Sequence, residues 1–305
     1  MTPPGPRPGA TPTGPSPADA LARFVAAVGD EGLGAYGVHV RIGDDEVAHR
    51  WRSDDRENVY SVSKGVCALA VGIAVDEGLL TLDTRVPELL PGIRLGAGVE
   101  QVTVRHLLSM TSGIDFAWFG DEPVPGDDLA ATMLALPADG TGERFRYTDS
   151  GPYVAMRMLA SVVGDVRDWL LPRLFGPLGI DNPQWHRCPL GFVVGGSGLE
   201  LRTSELARVG RLLRDRGSFD GRQLVSAAWI DAMHADWVEV SSDGPFRRYG
   251  LAVWDGPGDA WRLDGRYGQY VVVDQARDAV VTITAHEESA DHRLAELAVS
   301  TLAPR

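Results

Sequence analysis

Ser61 and Lys64 are the residues of this chain whose types and spacing point most directly to chemistry. Lys64 is the only lysine among 29 basic residues, and the eleven residues after it, 65–75, carry no charge. A buried ammonium is costly in free energy, and loss of its proton removes that cost, whereas an arginine cannot respond in this way. Ser61 lies one helical turn earlier on the same face. A hydroxyl beside a deprotonatable amine is typical of a Ser-Lys acyl-transfer centre.

Both residues also have a purely structural interpretation. A lysine near a helix end can extend its ammonium to solvent, and a serine at this place is a common N-cap. We favour catalysis because a nucleophile at a helix N-terminus has backbone N–H groups nearby that stabilise negative charge. Ser63 is adjacent to Lys64 but lies on a different face, so it is a poor alternative nucleophile.

The overall charge limits the classes of partner. The 305 residues include 42 acidic and 29 basic ones, which gives a net charge of −13. Nucleic acid and anionic membranes both require a basic surface, so neither is expected as a partner. Cys67, expected in the core, and Cys188 are too isolated for a zinc cluster or disulfide framework, and the seven histidines lack ligand spacing. We therefore expect no metal and no organic cofactor.

The chain begins with a segment of unusual composition. Residues 1–17 contain seven prolines and no apolar stretch of the kind found in signal peptides. We expect a disordered tail and a cytoplasmic location. The longest uncharged apolar run, residues 65–75, is too short to span a bilayer, so no membrane segment is expected.

Hydrophobic spacing predicts strands near both ends of the chain and helices between them. The predicted strands are 35–42, 46–51, 249–255, 266–274 and 279–286, and the predicted helices are 18–28, 61–76, 104–110, 127–136, 152–163, 203–215, 227–234 and 291–302. The simplest topology is an α/β (α+β) fold, in which an antiparallel sheet built from both termini is flanked by helices and carries an inserted, mainly helical region. We expect a sheet domain (18–80 and 196–305) and a helical domain (81–195), with the active site between them.

Several motifs resemble those of a known family. Tyr60-Ser61-Val62-Ser63-Lys64 is similar to the S-x-x-K motif of serine β-lactamases and penicillin-binding proteins. Four further segments resemble landmarks of the class C-like branch, and they are residues 79–83, 103–113, 175–180 and 195–199. The resemblance covers nearly the whole chain after the tail. It implies a β-lactamase-like fold and an acyl-enzyme on Ser61.

The second motif of this family, Tyr-x-Asn, matches Tyr147-Thr148-Asp149, which begins 86 residues after Ser61. The resemblance implies that Tyr147 aids proton transfer; the structural alternative is a core tyrosine. Asp149 replaces the usual asparagine, and an ionised aspartate only accepts hydrogen bonds. Either Asp149 pairs with Lys64 and raises its pKa, or it points away, and the sequence leaves both possibilities open.

The third motif, a cation followed by Thr and Gly, departs from the family pattern. Leu263-Asp264-Gly265 stands there, so Leu263 replaces the residue that helps to hold a substrate carboxylate. The residues that follow, 266–270, resemble the G-x-x-G-Q-Y variant of 6-aminohexanoate-oligomer hydrolases and related esterases. By that resemblance, the backbone N–H groups of Ser61 and Arg266 form the oxyanion hole.

The resemblance also implies a set of substrate contacts, which are Asp149, Leu263, Gly265, Arg266 and Trp118. Trp118 and Phe119 lie in a loop expected to border the site. The side chain of Arg266 either supplies the cation that the third motif lacks or is a solvated surface arginine.

These observations predict a serine hydrolase that cleaves an ester or amide bond of a small molecule. Ser61 attacks the carbonyl, and Lys64 and Tyr147 share the roles of general base and acid. A β-lactamase or D-alanyl-D-alanine peptidase is the first alternative, which Leu263 and the expected location disfavour. The second is a non-catalytic binding protein on the same fold, which the intact Ser61, Lys64 and Tyr147 set disfavours. No oligomeric state is predicted.

Overall fold

The structure is a computed structural model that describes residues 14–120, 122–123 and 126–304. Most of the expected disordered tail, residues 1–13, lies outside the described residues. Of its described residues, 14–16 are not helical, and Pro17 is the first residue of helix α1, which spans Pro17–Glu31. The Ser16 side chain caps this helix by accepting a hydrogen bond from the backbone N–H of Asp19 at 3.1 Å, and Pro17 suits the first helical position.

Strands from both ends of the chain pair in the central sheet, as predicted. The described strands are β1 (Ala35–Ile42), β2 (Asp45–Arg50), β3 (Glu57–Asn58), β4 (Gln184–Trp185), β5 (Leu199–Leu201), β6 (Ser218–Phe219), β7 (Arg222–Gln223), β8 (Val238–Glu239), β9 (Arg248–Tyr249), β10 (Trp254–Asp255), β11 (Trp261–Gly265), β12 (Gln269–Asp274) and β13 (Ala279–Ala285). Eight of them form one antiparallel sheet in the order β2-β1-β13-β12-β11-β10-β9-β8. The predicted fold class is confirmed.

The remaining helices are α2 (Val62–Asp76), α3 (Val86–Leu89), α4 (Val104–Leu108), α5 (Leu129–Leu134), α6 (Ser150–Val163), α7 (Val166–Leu170), α8 (Thr203–Arg214), α9 (Ala227–Met233) and α10 (Asp291–Ser300), with short 3₁₀ or π turns at Val99–Gln101, Leu171–Phe175 and Gln275–Arg277. Most of these helices overlap the predicted positions, whereas α3 and α7 were not predicted. None of the helices in the described ranges has the length and apolar character needed to cross a membrane.

The predicted strand 249–255 is wrong, because a turn interrupts it. β9 ends at Tyr249 and β10 begins at Trp254. Between them, the Gly250 N–H donates to Val253 O at 2.8 Å, and Ala252 adopts a left-handed φ of 61°. The run of apolar residues concealed this turn.

The predicted strand 266–274 begins too early, and the strand before it was missed. Residues 266–268 form a turn in which Tyr267 and Gly268 have φ values of 65° and 90°, so β12 starts at residue 269. The missed strand is β11, whose sequence contains Arg262 and Asp264. Two charged residues are not expected in a buried strand, which is why β11 was not predicted. They pair with each other, since Arg262 Nε donates to Asp264 Oδ2 at 2.9 Å. The pairing makes their burial tolerable.

Helix α2 is the buried centre of the molecule. Its residues from Val62 to Ala74 are all buried, as their apolar character on every face predicts. The helix approaches its neighbours closely at two glycines. A Cβ atom on Gly65 would overlap the side chain of Leu263, and one on Gly72 would overlap the indole of Trp229. Only glycine allows α2 to pack this tightly against β11 and α9.

The sheet separates two hydrophobic cores. The larger core packs α2 and α8 against one face of the sheet and α6 against α2. The smaller core covers the other face with α1 and α10, where Phe24 and Leu294 contact residues such as Val38 and Ile283. This arrangement holds β11, and the turn that follows it, beside the N-terminus of α2.

Candidate active site

Ser61 stands immediately before the first residue of α2. Its side chain makes no capping hydrogen bond, so the structural role of N-cap does not occupy the hydroxyl. The preceding residue, Tyr60, adopts a left-handed φ of 46°, and its N–H donates to Asn58 Oδ1 at 2.8 Å. Strained backbone next to a reactive side chain is a common feature of functional sites. The Ser61 hydroxyl is therefore not used to stabilise the helix and is available for other contacts.

Lys64 lies directly beneath Ser61 and is 1% exposed. Its ammonium has three acceptors, which match its three N–H groups. It donates to Ser61 Oγ at 2.7 Å and to Gly196 O at 3.0 Å, and it forms an ion pair with Asp149. The alternative in which Lys64 extends to solvent is excluded. Ser63, the other serine nearby, instead accepts a hydrogen bond from the Leu199 N–H at 3.3 Å.

Asp149 is held by contacts on both carboxylate oxygens. Oδ1 pairs with Lys64, and Oδ2 accepts the Gly120 N–H at 2.7 Å. The backbone of Asp149 is fixed as well, because its N–H donates to Trp118 O at 2.9 Å. Of the two possibilities left open by the sequence, the structure shows the one in which Asp149 pairs with Lys64.

The pairing with Asp149 changes the protonation state expected for Lys64. Burial alone predicts a neutral amine, and that expectation is not supported. Burial by itself lowers the pKa of Lys64, but the Asp149 carboxylate and Tyr147 outweigh burial and raise that pKa above its ordinary value. The ion pair with Asp149 therefore favours the Lys64 ammonium over the neutral amine.

Tyr147 lies beside this pair and is half-buried. Its ring centroid is 4.7 Å from Lys64 Nζ, and the ring packs on Trp254 at 5.6 Å and on Tyr249 at 5.8 Å. Burial raises the pKa of Tyr147, while the Lys64 charge and a hydrogen bond with Ser61 oppose the rise. The raised pKa favours the neutral hydroxyl, which stands next to Ser61.

A cavity of about 560 Å³ opens in front of Ser61. Of the thirteen residues that line it, six are aromatic and three are aspartates. The residues that line it are Tyr60, Ser61, Phe119, Phe145, Tyr147, Asp149, Ser197, Val240, Phe246, Trp254, Asp264, Arg266 and Asp291. A concave, largely apolar space with a few polar groups is the usual form of a small-molecule site.

Three of the predicted substrate contacts lie elsewhere. Leu263 is 1% exposed and packs against Gly65 of α2, so it faces the core rather than the cavity. Gly265 allows β11 to approach Val59 O, which a Cβ atom at that position would meet. Trp118 is 2% exposed, and its indole N–H donates to Pro123 O at 3.2 Å. Phe119, the next residue, lines the cavity in place of Trp118.

Arg266 follows β11 in the turn that reaches the cavity. Its side chain is exposed, and its guanidinium carbon lies 4.7 Å from the centroid of the Tyr267 ring. Arg266 and Ser61 line the same cavity, which is compatible with an oxyanion hole formed by their backbone N–H groups. That role stays a prediction.

Sequence reasoning gave no role in the site to eight of the residues that line the cavity. They are Tyr60, Phe145, Ser197, Val240, Phe246, Trp254, Asp264 and Asp291. Their sequence positions are scattered, and only the fold brings them together. The sequence did contain one signal for Asp264. This residue lies in the third motif, directly after Leu263, at the place where the chain departs from the family pattern.

Comparisons with known proteins show the family of the chain. The Beta-lactamase family matches residues 21–302. A 6-aminohexanoate-dimer hydrolase from Paenarthrobacter ureafaciens is 24% identical over 273 residues, which cover 78% of this chain and 69% of that protein. Penicillin-binding protein 4 from Amycolatopsis lactamdurans is 36% identical over 202 residues, which cover 60% of this chain and 51% of that protein, so the match spans about half of this relative.

The fold is shared with solved structures. A penicillin-binding protein homologue from Caulobacter crescentus superimposes with a TM-score of 0.74 at 21% identity, over 93% of this chain and 97% of that one. Because the family match extends over nearly all of the described residues, the chain belongs to the beta-lactamase family.

Proposed function

We propose that this protein is a serine hydrolase that cleaves an ester or amide bond of a small molecule through an acyl-enzyme on Ser61. The observation that carries the proposal is the 2.7 Å hydrogen bond from Lys64 Nζ to Ser61 Oγ at the floor of the cavity. The family assignment and the relative named as a hydrolase support it. Ser61, Lys64 and Tyr147 are the proposed catalytic residues.

The ion pair supplies the base for acylation. The Lys64 ammonium first passes a proton to the Asp149 carboxylate, which converts the pair to a neutral amine and a neutral acid. The amine then takes the Ser61 proton as Oγ bonds to the substrate carbonyl carbon. Because the proton moves within the pair, no proton has to leave the buried site before the reaction.

Collapse of the tetrahedral intermediate completes acylation. Tyr147 donates its proton to the leaving oxygen or nitrogen as the bond to carbon breaks. The Lys64 ammonium reprotonates Tyr147, and Asp149 returns its proton to Lys64. Water then attacks the acyl-enzyme by the same steps with Ser61 as the leaving group, which restores the resting state. The proposed oxyanion hole stabilises both intermediates.

A panel of three substrates tests this function. Purified protein is incubated with p-nitrophenyl acetate, a short p-nitroanilide and nitrocefin, and intact mass is measured for an acyl adduct. Turnover of the ester or the anilide, with an adduct that Ser61→Ala lacks, is the expected result. Efficient nitrocefin hydrolysis alone would favour the β-lactamase alternative, and inertness toward all three would favour a binding protein. The domain division and the cytoplasmic location stay predictions.

A further inference from the structure

We propose that the cavity in front of Ser61 selects substrates that carry an ammonium group close to an apolar or aromatic portion. This inference rests on the proposed function and narrows its substrate class. It depends on the chemistry of the cavity walls, in which aromatic rings and carboxylates occur together.

The aromatic walls form one continuous surface. Trp254 is its centre, with ring centroids 5.8 Å from Phe145, 5.6 Å from Tyr147 and 4.7 Å from Phe246. Phe246 is 40% exposed at the mouth of the cavity. Faces of aromatic rings attract cations through their negative quadrupole, and clusters of rings are the known receptors for ammonium groups.

Two carboxylates complete the surface. Asp264 enters from β11, and Asp291 is the first residue of α10. Asp264 accepts a hydrogen bond from Arg262 Nε at 2.9 Å, but the other nitrogens of that guanidinium are turned to the carbonyl oxygens of Pro245, Asp255 and Gly256. Arg262 therefore supports Asp264 from behind and is not itself among the residues that line the cavity.

Positive charge is sparse in the same place. Among the residues that line the cavity, Arg266 is the one basic side chain, and its exposed guanidinium lies over Tyr267, which is not part of the lining. The third carboxylate, Asp149, is paired with Lys64. The position at which the resemblance implied a cation holds Leu263, and that side chain faces α2.

The charge of the whole protein acts in the same direction. A net charge of −13 attracts cationic solutes and repels anionic ones before they contact the site. Asp264 and Asp291 then stabilise a bound ammonium through charge-assisted hydrogen bonds, and the aromatic rings pack against the methylene groups of the ligand. The ammonium takes no part in bond making or breaking.

Ligand binding to the full-length Ser61→Ala protein tests the inference without requiring turnover. Calorimetry compares 2-phenylethylammonium, 2-phenylethanol and 3-phenylpropionate, which differ mainly in charge. We expect the ammonium compound to bind about tenfold more tightly than the alcohol or better, and the carboxylate to bind most weakly. Inhibition of wild-type p-nitrophenyl acetate hydrolysis should rank the three compounds in the same order.

Substitutions then locate the preference. Asp264→Asn and Asp291→Asn, each in the Ser61→Ala background, should each reduce the preference for the ammonium about tenfold, whereas the exposed Asp259→Asn outside the cavity should leave it unchanged. Asp291→Asn keeps the test valid if loss of the Arg262 partner unfolds the Asp264 variant.

Three results would overturn the inference. The first is that the ammonium compound does not bind, or binds no more tightly than the alcohol. The second is that the preference for the ammonium remains in both the Asp264→Asn and the Asp291→Asn variants. The third is that 3-phenylpropionate binds most tightly and that Arg266→Ala removes this binding. Failure of the proposed function would give a different result. The wild-type protein would then hydrolyse no ester or amide, whether or not the Ser61→Ala protein binds the ammonium compound.

Discussion

Asp149 and Lys64 form an ion pair beneath Ser61, and the two residues are only 2% and 1% exposed. Removal of one partner from such a pair leaves an uncompensated buried charge, which typically costs about 3–5 kcal/mol of folding free energy. The pair therefore links the stability of the site to its chemistry. Substitutions that preserve shape are needed to separate the two contributions.

Asp149→Asn preserves the shape and a carbonyl oxygen for Lys64 but removes the proton acceptor. In the variant, Lys64 must lose a proton to solvent before each turnover. We expect kcat/KM at neutral pH to fall about 10²-fold, and the acidic limb of the pH profile to lie at higher pH. A limb displaced to lower pH would show that Asp149 only keeps Lys64 protonated.

Lys64→Arg should be as damaging as Lys64→Ala, although it keeps the positive charge. A guanidinium stays protonated and cannot accept the proton of Ser61. We expect a loss of about 10²- to 10⁴-fold in kcat for both variants and for the uncharged control Lys64→Met, measured with p-nitrophenyl acetate after thermal unfolding confirms a folded protein. Near-normal turnover by the arginine variant would mean that Lys64 serves only as a fixed cation.

Ser61→Ala should abolish both turnover and covalent labelling by a fluorophosphonate. Ser61 is the serine whose Oγ accepts the hydrogen bond from Lys64, whereas the Ser63 hydroxyl is engaged with the backbone of β5. Ser63→Ala is the matched control and should still be labelled. Peptide mass mapping identifies the modified residue, and an adduct on any serine other than Ser61 in the wild-type protein would contradict the assignment.

Leu263→Lys should destabilise the protein without creating a β-lactam site. The new ammonium would lie against Gly65 in the core rather than in the cavity. An unpaired buried charge should lower the free energy of unfolding by about 3 kcal/mol or more, whereas the volume-conserving Leu263→Met should cost less than about 1.5 kcal/mol. Urea denaturation measures both values. A stable lysine variant that gains nitrocefin turnover would place this side chain in the cavity after all.

The placement of Ser61 and Lys64 at the start of a buried helix was predictable because its signals are local. Ser61 and Lys64 lie within one helical turn, and the apolar run that follows predicts the burial of α2. The hairpin of β1 and β2 is local as well. These features depend on neighbours in the sequence, where residue types and spacing carry most of the information.

The rest of the site depends on contacts that spacing does not encode. The sequence showed Asp149 but not the direction of its carboxylate, and that direction decides the protonation of Lys64. Leu263 occupies the expected motif position, yet strand alternation and the close approach of Gly65 turn it toward the core. The charges of Arg262 and Asp264 hid β11, because their mutual pairing is visible only in three dimensions.

The separation of Ser61 from Arg266 by about 200 residues has a consequence for how the protein gains its activity during refolding. The α2 helix and the β12–β13 hairpin are local structures and form early, whereas joining the two ends of the chain in one sheet requires closure of a long loop, which is slow. Hydrolysis should therefore reappear together with the last phase that restores tertiary structure, later than the recovery of helical signal. A fragment that ends before β10 would retain Ser61 and Lys64 but would lack Trp254 and the turn at Arg266, both of which line the cavity.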